Sequence, residues 1–386
     1  MSGNMRLAVF LITMTASAAS AVPPVQLDSL GGDCAPITAA PQGTAITAAW
    51  GRSDSGATTL IARQGPAAWL SPITISSSAL SWYYAMCSSP VGLYMVISNP
   101  TPNGWHLCFT KSTDGGVAWS SPVAMPLGVG NELLPKITYL DGAICLVWVN
   151  QNGTNYECAF TKSTDDGVNW SAPIRLSGFG AYVENVGITS IAPGTVCVVW
   201  TELTGGANKV CFRKSINVAG TWNTALRVSM LDNVDDTNPV IAAASGGKLV
   251  VAYQEFTGTV WEVMAQTSAD GGGAWGPPVI LSPVDQKDSR LPAIAADPMN
   301  KIGISWTDDS TSPSVIGWRA STDGGNSWQD TKLISAGYGS ATFPQMLPAT
   351  MGGWELFWVE QALSTWHPFY ARVGADPAEV SPFEIY

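Results

Sequence analysis

Polar side chains recur at regular intervals along the sequence, each two residues after the end of an apolar, strand-like segment. These seven positions are 47 to 53 residues apart and hold Arg52, Asn99, Asn150, Glu202, Glu255, Asp308 and Glu360. Carboxylates act as acids, bases and nucleophiles at glycosidic bonds, and with amides they also hydrogen-bond neutral sugars. The set therefore predicts either a glycosidase, with Glu202 and Asp308 or Glu360 as its carboxylate pair, or a polar binding surface.

Aromatic residues follow the polar set, near the start of the next strand-like segment. Trp105 and Trp261 are our ligand-binding candidates among them. If exposed, such rings beside acids and amides suit an uncharged glycan or a protein loop, whereas buried rings only fill space between repeats. Arg52 and Arg290 are the only two arginines expected on the same surface.

The segment 232–238 is the one place where oxygen ligands for a metal lie close together. Asp232, Asp235 and Asp236 make Ca²⁺ an option, but their spacing matches no EF-hand and no closing Glu follows. No cofactor is otherwise predicted. With only two His and no phosphate-binding or C-x-x-C motif, a His-rich zinc site or a Ser-His-Asp triad lacks its residues.

A short motif of the form Ser-x-Asp, then Gly, then Trp recurs through the chain. Its five copies occupy 112–119, 163–170, 215–222, 268–275 and 321–328, with a degenerate copy before Trp69. The third copy has Asn217 in place of Asp. Short Asp and Ser side chains can hydrogen-bond backbone N–H groups in a tight turn, and Gly accepts a positive φ. We expect each Trp to cover the apolar side of its own hairpin.

The repeats predict an all-β fold with four strands in each unit. Seven units of this period account for residues 22–386, so we predict one seven-bladed β-propeller of four-stranded antiparallel blades, with a six-bladed ring as the alternative. A Pro near the start of the preceding strand marks four of the units: Pro135, Pro239, Pro292 and Pro344. The last unit lacks a turn motif, so its fourth strand is either 381–386 or the N-terminal segment 23–27.

The motif resembles the Asp-box, or bacterial neuraminidase repeat, of the sialidase-like propeller superfamily. That resemblance implies a ligand face opposite the Asp-boxes, and its members include sialidases, other glycoside hydrolases, lectin-like binders and scaffold proteins. Sialidases of this kind use three arginines on the substrate carboxylate, a Tyr–Glu nucleophile and an Asp. Here Arg290 alone matches the family's Arg-x-Pro feature, so the chain lacks a recognisable sialidase catalytic set.

The ends and the composition bear on location and partners. Residues 1–21 read as a signal peptide, with Arg6, an apolar run and a small-residue cleavage site, so we expect a secreted, periplasmic or cell-surface protein. A net charge of −11 disfavours nucleic acid and anionic membranes, and no segment is long enough to span a bilayer. Seven Cys leave two options open, disulfides or buried thiols.

These observations favour a non-catalytic, monomeric binding propeller for a neutral glycan or a protein partner. The alternative is a glycoside hydrolase of sialidase-like type that uses carboxylates at the propeller mouth. Whether the chain is an enzyme stays open at this stage.

Overall fold

The computed structural model describes residues 24–28, 33–34, 36–53, 57–63, 69–76, 83–178, 181–191, 193–297, 299–349 and 352–374. Its strands form seven antiparallel sheets, and the first strands of successive sheets contact one another in a closed ring. The protein is therefore a seven-bladed β-propeller, as the repeat predicts, and the six-bladed alternative is wrong. The predicted signal peptide lies outside the described residues.

Blades 2 to 6 are meanders of four strands that run outward from the central axis. Blade 1 has a fifth, two-residue strand, because Asp33–Cys34 and Thr38–Gln42 both pair with Ala45–Ser53, and blade 7 takes its fourth strand from the N-terminal segment. Blades 1 and 2 comprise Asp33–Cys34, Thr38–Gln42, Ala45–Ser53, Ala57–Arg63 and Ile73–Ser76, then Tyr84–Ser89, Gly92–Thr101, Gly104–Ser112 and Val123–Ala124. Blades 3 and 4 comprise Asn131–Leu140, Ala143–Asn152, Asn155–Ser163 and Ile174–Arg175, then Val183–Ile191, Thr195–Thr204, Ala207–Ser215 and Leu226–Arg227. Blades 5 and 6 comprise Asp236–Ala243, Leu249–Phe256, Trp261–Ser268 and Val279–Ile280, then Ser289–Ala296, Ile302–Asp308, Val315–Ser321 and Lys332–Ile334. Blade 7 comprises Ala341–Pro348, Trp354–Ala362, Thr365–Val373 and the N-terminal strand Val25–Gln26.

Helix contributes almost nothing to this architecture. Within the described ranges, the helical structure is a single 3₁₀ turn, Ser245–Gly247. No helix in those ranges has the length and apolar character needed to cross a membrane.

The second strand of each blade forms the densest part of the core. Because other blades cover both of its faces, it reads as a nearly continuous apolar run rather than an alternating one. Ala143–Asn152 in blade 3 has seven consecutive buried residues. Trp148 and its counterparts Trp50, Trp200, Trp306 and Trp358 are at most 1% exposed, so these five aromatic residues belong to the core.

The N-terminal segment closes the ring. Val25 pairs with Tyr370 and Gln26 with Phe369 in the third strand of blade 7, and the Leu27 N–H donates to the carbonyl of Pro368 at 2.8 Å. The N-terminal alternative for the closing strand is thus confirmed. The other candidate segment, 381–386, lies outside the described residues.

Asp28 joins this closing segment to blade 1. Its carboxylate is buried and accepts hydrogen bonds from Trp50 Nε1 at 3.2 Å and from Arg52 Nη1 at 3.1 Å. The side chain of Arg52 is itself largely enclosed. A buried ion pair of this kind depends on both partners, since removal of one leaves the other charge in a poorly solvated site.

The repeated Ser-x-Asp turns form the hydrogen bonds that the motif predicts. In blade 2, Asp114 Oδ1 accepts from the backbone N–H groups of Val117 and Ala118, and Ser112 Oγ accepts from that of Gly116. Gly116 has a φ of +86°. The remaining copies, including the one with Asn217, have a side-chain oxygen that accepts from the turn amides in the same way.

The Trp of the motif, however, packs on the preceding blade rather than only on its own hairpin. Trp170 of blade 3 contacts Phe109 of blade 2 edge-to-face, with centroids 5.4 Å apart. A Cβ at Gly167 would lie 2.2 Å from that same Phe109 ring, so glycine is required by close approach as well as by φ. Trp222 on Phe160 and Trp275 on Phe212 repeat the contact. The motif therefore holds neighbouring blades together.

All seven cysteines are free thiols. Cys145 pairs in register with Lys162, and Cys158 with Val149, so these two cysteines do not face each other across their strands. Burial raises the pKa of Cys145 and of Cys197 to about 12. Of the two options left open by the sequence, the structure has free thiols, of which five are buried, whereas Cys87 and Cys108 are half-buried.

We predict that Asp28→Asn costs about 2 to 4 kcal/mol of unfolding free energy, because the buried Arg52 charge loses its counter-ion. Glu157→Gln is the matched control, since Glu157 pairs with Arg175 at 2.9 Å on a partly exposed surface where such pairs contribute under about 1 kcal/mol. Urea denaturation monitored by Trp fluorescence measures both. Equal shifts of the two midpoints would contradict the assigned role of Asp28.

Candidate functional site

A cavity of about 510 Å³ lies on the propeller axis. It is lined by residues next to or within the first strands of all seven blades, at their starting ends. The register places the hairpins between second and third strands at this same end, and the Ser-x-Asp turns at the other. We call the end with the hairpins the upper face and the opening of the cavity there the channel mouth.

A repeated bulge in the first strands shapes the channel mouth. In four blades the bulge holds a non-glycine residue with φ between 52° and 56°, immediately before a proline: Leu134, Asn238, Leu291 and Phe343. A left-handed conformation is unfavourable there, and it is more so before proline. Bulges re-aim side chains and often lie next to functional sites, and all four residues line the cavity.

Two pairs of aromatic side chains flank the channel mouth on the side of blades 2 to 4. Tyr83 lies against Trp105 with ring centroids 6.2 Å apart, and Tyr156 lies against Tyr182 at 4.7 Å. Tyr83 is 36% exposed and Tyr182 is 43% exposed. These pairs present flat, amphipathic surfaces to solvent beside the cavity.

Amide and acidic groups complete the rim near these aromatic pairs. Asn185 Nδ2 donates to Asn238 Oδ1 at 2.6 Å, which links the bulges of blades 4 and 5. Glu184 is exposed at the cavity wall, and partial desolvation raises the pKa of its carboxyl above its usual value. The rim therefore combines apolar faces with hydrogen-bonding groups of low net charge.

Three of the predicted acids form hydrogen bonds within the scaffold. Glu360 is fully buried, and it accepts from Trp358 Nε1 at 3.0 Å and from the backbone N–H groups of Ala336 and Tyr338. Asp308 is also buried and accepts from Trp306 Nε1 at 2.9 Å. Glu202 repeats the arrangement with Trp200 Nε1 at 2.7 Å and with the Gly178 N–H. Each of the three carboxylates therefore accepts a hydrogen bond from the tryptophan two residues earlier in its strand.

The two predicted arginines and the amide Asn150 do not converge. Arg52 is buried against Asp28, as described above. Arg290 is 41% exposed and pairs with Asp309 at 2.5 Å and Asp288 at 3.7 Å. Asn150 is half-buried at the end of its strand in blade 3. These residues lie on different blades around the ring and form no common binding cluster.

The two predicted tryptophans have different surroundings. Trp105 belongs to the aromatic pair with Tyr83 beside the channel mouth. Trp261 in blade 5 instead packs on Phe256 at 5.2 Å, and its backbone N–H donates to Asp288 Oδ1 at 3.0 Å. Trp105 is therefore the one of the two that lies next to the cavity.

A lysine ammonium occupies the centre of the oxygen-rich loop. Lys209 Nζ is fully buried and bonds to Asp232, to Asp236 Oδ2 at 2.9 Å and to the carbonyl of Val234 at 2.6 Å. Burial opposes its charge, but the two aspartates raise the pKa of Lys209 above its usual value. Asp235 accepts from the Asn208 N–H at 2.8 Å. The described residues include no group of three or more His, Cys, Asp or Glu arranged to hold a metal.

Two glutamates on the upper face titrate near neutrality. Desolvation, with the nearby charges of Asp236 and Asp232, raises the pKa of Glu255 to about 7. Desolvation likewise raises the pKa of Glu132 to about 7, although the Leu107 N–H donates to it at 2.6 Å. His106 Nδ1 lies 4.0 Å from Glu132 Oε1. Both groups can exchange protons at physiological pH.

The residues that line the cavity, among them Tyr83, Glu184 and Asn238, lie outside the set predicted from the ends of the second strands. They belong to the first strands or to the loops that precede them. The repeated prolines were the available signal, because each marks a bulge at the channel mouth.

Solved structures with a similar fold include two polysaccharide lyases and an arabinanase. An ulvan lyase of a polysaccharide lyase family superposes with a TM-score of 0.66 at 12% identity, over 92% of this chain and 94% of its own. The polysaccharide lyase Uly1 superposes with a TM-score of 0.58 at 10% identity, over 90% of this chain and 91% of its own. The α-L-arabinanase of Penicillium chrysogenum superposes with a TM-score of 0.54 at 14% identity, over 78% of this chain and 94% of its own. No protein-family model and no curated protein matches the sequence. At these identities the likeness supports the propeller fold alone.

The raised pKa values predict that stability falls as pH increases from 4.5 to 7. In that window the native state keeps protons on Glu132 and Glu255 that the unfolded chain, with glutamates near 4.5, has released. Glu132→Gln and Glu255→Gln should flatten this slope, whereas Glu157→Gln should not. Urea midpoints measured between pH 4.5 and 8 test this. A stability that rises through the window and is unchanged in both variants would contradict it.

Proposed function

We propose that this protein binds a glycan at the channel mouth without cleaving it. The observation that carries the proposal is the presence of two solvent-facing aromatic pairs beside hydrogen-bonding groups at one opening. Sugar rings have apolar faces that stack on aromatic rings and hydroxyl edges that bond to amides and carboxylates. The aromatic surfaces here are the pairs Tyr83–Trp105 and Tyr156–Tyr182. The hydrogen-bonding amide and carboxylate are those of Asn185 and Glu184.

The charge of the rim supports an uncharged ligand or ligand segment. Glu184 is the one acidic residue and Lys136 the one basic residue among those that line the cavity, and no arginine lies among them. Strong recognition of a carboxylate by guanidinium forks needs several arginines. Arg52 and Arg290 are already paired with aspartates, which leaves the mouth without such a clamp.

The fold neighbours give independent support for a glycan over a protein partner. The structures described above are a lyase that acts on ulvan, a second polysaccharide lyase and an arabinanase. Fold alone does not carry function, so the aromatic pairs remain the principal support and the neighbours indicate the ligand class.

A binding role is consistent with the hydrogen bonds that the predicted catalytic acids form within the scaffold. Glu202, Asp308 and Glu360 hold indole and backbone N–H groups, so a carboxylate pair made from them would have to give up scaffold bonds. We further propose that the protein is exported and monomeric, and that its Ser-x-Asp turns are Asp-boxes. It needs no cofactor and does not bind nucleic acid.

Glycoside hydrolysis is the second candidate, and one observation favours it. Glu255 and Asp236 are directly opposite each other in the ladder of blade 5, and the pKa of Glu255 is about 7. One protonated and one ionised carboxyl group are what acid/base cleavage of a glycosidic bond requires. A panel of fluorogenic glycosides tests this. Turnover that Glu255→Gln abolishes and Glu157→Gln preserves would replace the binding proposal.

We predict that Tyr182→Ala and Trp105→Ala each weaken glycan binding at least about tenfold, the loss of one stacking contact of roughly 1.4 kcal/mol. A glycan array with the exported form identifies ligands, and calorimetry measures affinity. Ile216→Ala is the control, because Ile216 is 72% exposed within a Ser-x-Asn turn on the opposite face. Equal affinity of all three variants and the parent protein would place the ligand elsewhere.

A further inference from the structure

Lys136 interrupts an otherwise uncharged ring of residues inside the axial cavity. One residue of each first strand pairs with the residue that precedes a repeated core position of the second strand. This core position is held by Trp50, Ile97, Trp148, Trp200, Tyr253, Trp306 and Trp358, and the seven first-strand partners define a single level of the channel. This level consists of Thr38, Ala85, Lys136, Gly187, Val240, Ala293 and Gln345. Six of the seven blades fold with an uncharged residue there, so the propeller itself does not require the lysine.

The equivalents of Lys136 in two other blades lie close to the next blade along the ring. A Cβ at Gly187 in blade 4 would approach Pro239 and Val240 of blade 5. Thr38 in blade 1 likewise reaches the next blade, where its Oγ1 accepts from the Met86 N–H at 3.1 Å. Lys136 holds the equivalent position in blade 3, next to Gly187 of blade 4 in the ring, and both residues line the cavity.

Lys136 has no counter-ion on the cavity wall. In the part of the chain that the structure describes, its ammonium forms no ion pair and no hydrogen bond. Glu184 is the one acidic residue of the lining and is not within 4.0 Å of it. Enclosure without a partner disfavours the charged form, and accordingly burial lowers the pKa of Lys136. An anion in the cavity would offset this cost.

Uncharged polar groups accompany the lysine. Gln345 is at the same level on blade 7, and within the described residues its carboxamide makes no hydrogen bond. Asn238 at the channel mouth accepts from Asn185, which leaves its own NH₂ group for a ligand. A volume of about 510 Å³ is in the range of small-molecule sites.

We propose that the axial cavity is a binding site for a small hydroxylated carboxylate. The carboxylate group pairs with the Lys136 ammonium, and the hydroxyl groups bond to the amides of Gln345 and Asn238. This site lies below the aromatic pairs and goes beyond the glycan site proposed at the rim, because its ligand is a small organic acid rather than a sugar chain.

Gluconate and sorbitol test the proposal, since they share a six-carbon polyol chain and differ in the carboxylate. Isothermal titration calorimetry should show gluconate binding to the parent protein at millimolar concentration or below, and no binding of sorbitol. Lys136→Met should weaken gluconate at least tenfold. Lys287→Met, which removes an exposed lysine from the upper face, should retain the parent affinity and so controls for net charge.

Equal gluconate affinity in Lys136→Met and the parent, or no gluconate binding to the parent, would overturn the proposal. If Lys136→Met does not fold, the parent protein alone still tests the proposal. In that test Lys136 is acetylated with a succinimidyl ester and the extent of acetylation is measured by mass spectrometry. Gluconate should slow this acetylation at least threefold, and sorbitol should not. If the parent protein binds a glycan but not gluconate, the cavity site alone is refuted. If it binds gluconate but no glycan, the rim site alone is refuted.

Discussion

Contact between each turn motif and the preceding blade is the constraint on which the ring depends. Gly167 lies so close to Phe109 that no other residue fits, and Gly272 has the same relation to Phe212. Lys162 and Lys214, one residue before their turns, each donate to a carbonyl in the next turn along the ring. The motif thus fixes the spacing of neighbouring blades at the lower face, and the axis left between seven such blades is wide enough to hold a cavity.

The upper face has its own periodic bonds, and these explain why regular spacing is a poor guide to function. Glu202, Asp308 and Glu360 each accept a hydrogen bond from the indole N–H two residues earlier, so three of the seven blades use this position for the scaffold. Residues that depart from the period are the more informative ones. Tyr182 occupies a position where blades 3, 5 and 6 have Asn131, Asp235 and Asp288, which bond to a backbone N–H of the blade before. Tyr182 instead packs against Tyr156 beside the cavity, with the two ring planes inclined at 54°.

The fold could be predicted because its determinants repeat within the sequence. Trp, Gly and Asp at constant intervals identify strands and turns, and the number of intervals gives the number of blades. The site could not be predicted in the same way. Its residues are brought together by seven separate first strands, and the left-handed conformation of Leu134 or Phe343 has no signature beyond the following proline. Likewise, the acidic loop 232–236 reads as a cation site, whereas its cation is Lys209, more than 20 residues earlier.

The pairing of Val25–Gln26 with the third strand of blade 7 makes the ring dependent on both ends of the chain. Until the last blade has been synthesised, the N-terminal strand has no partner, and until it docks, the outer edge of Thr365–Val373 is open. Open sheet edges recruit strands from other molecules. The N-terminal strand of a second copy would fit this edge as well as the molecule's own strand does. Refolding at high protein concentration therefore favours strand-exchanged dimers.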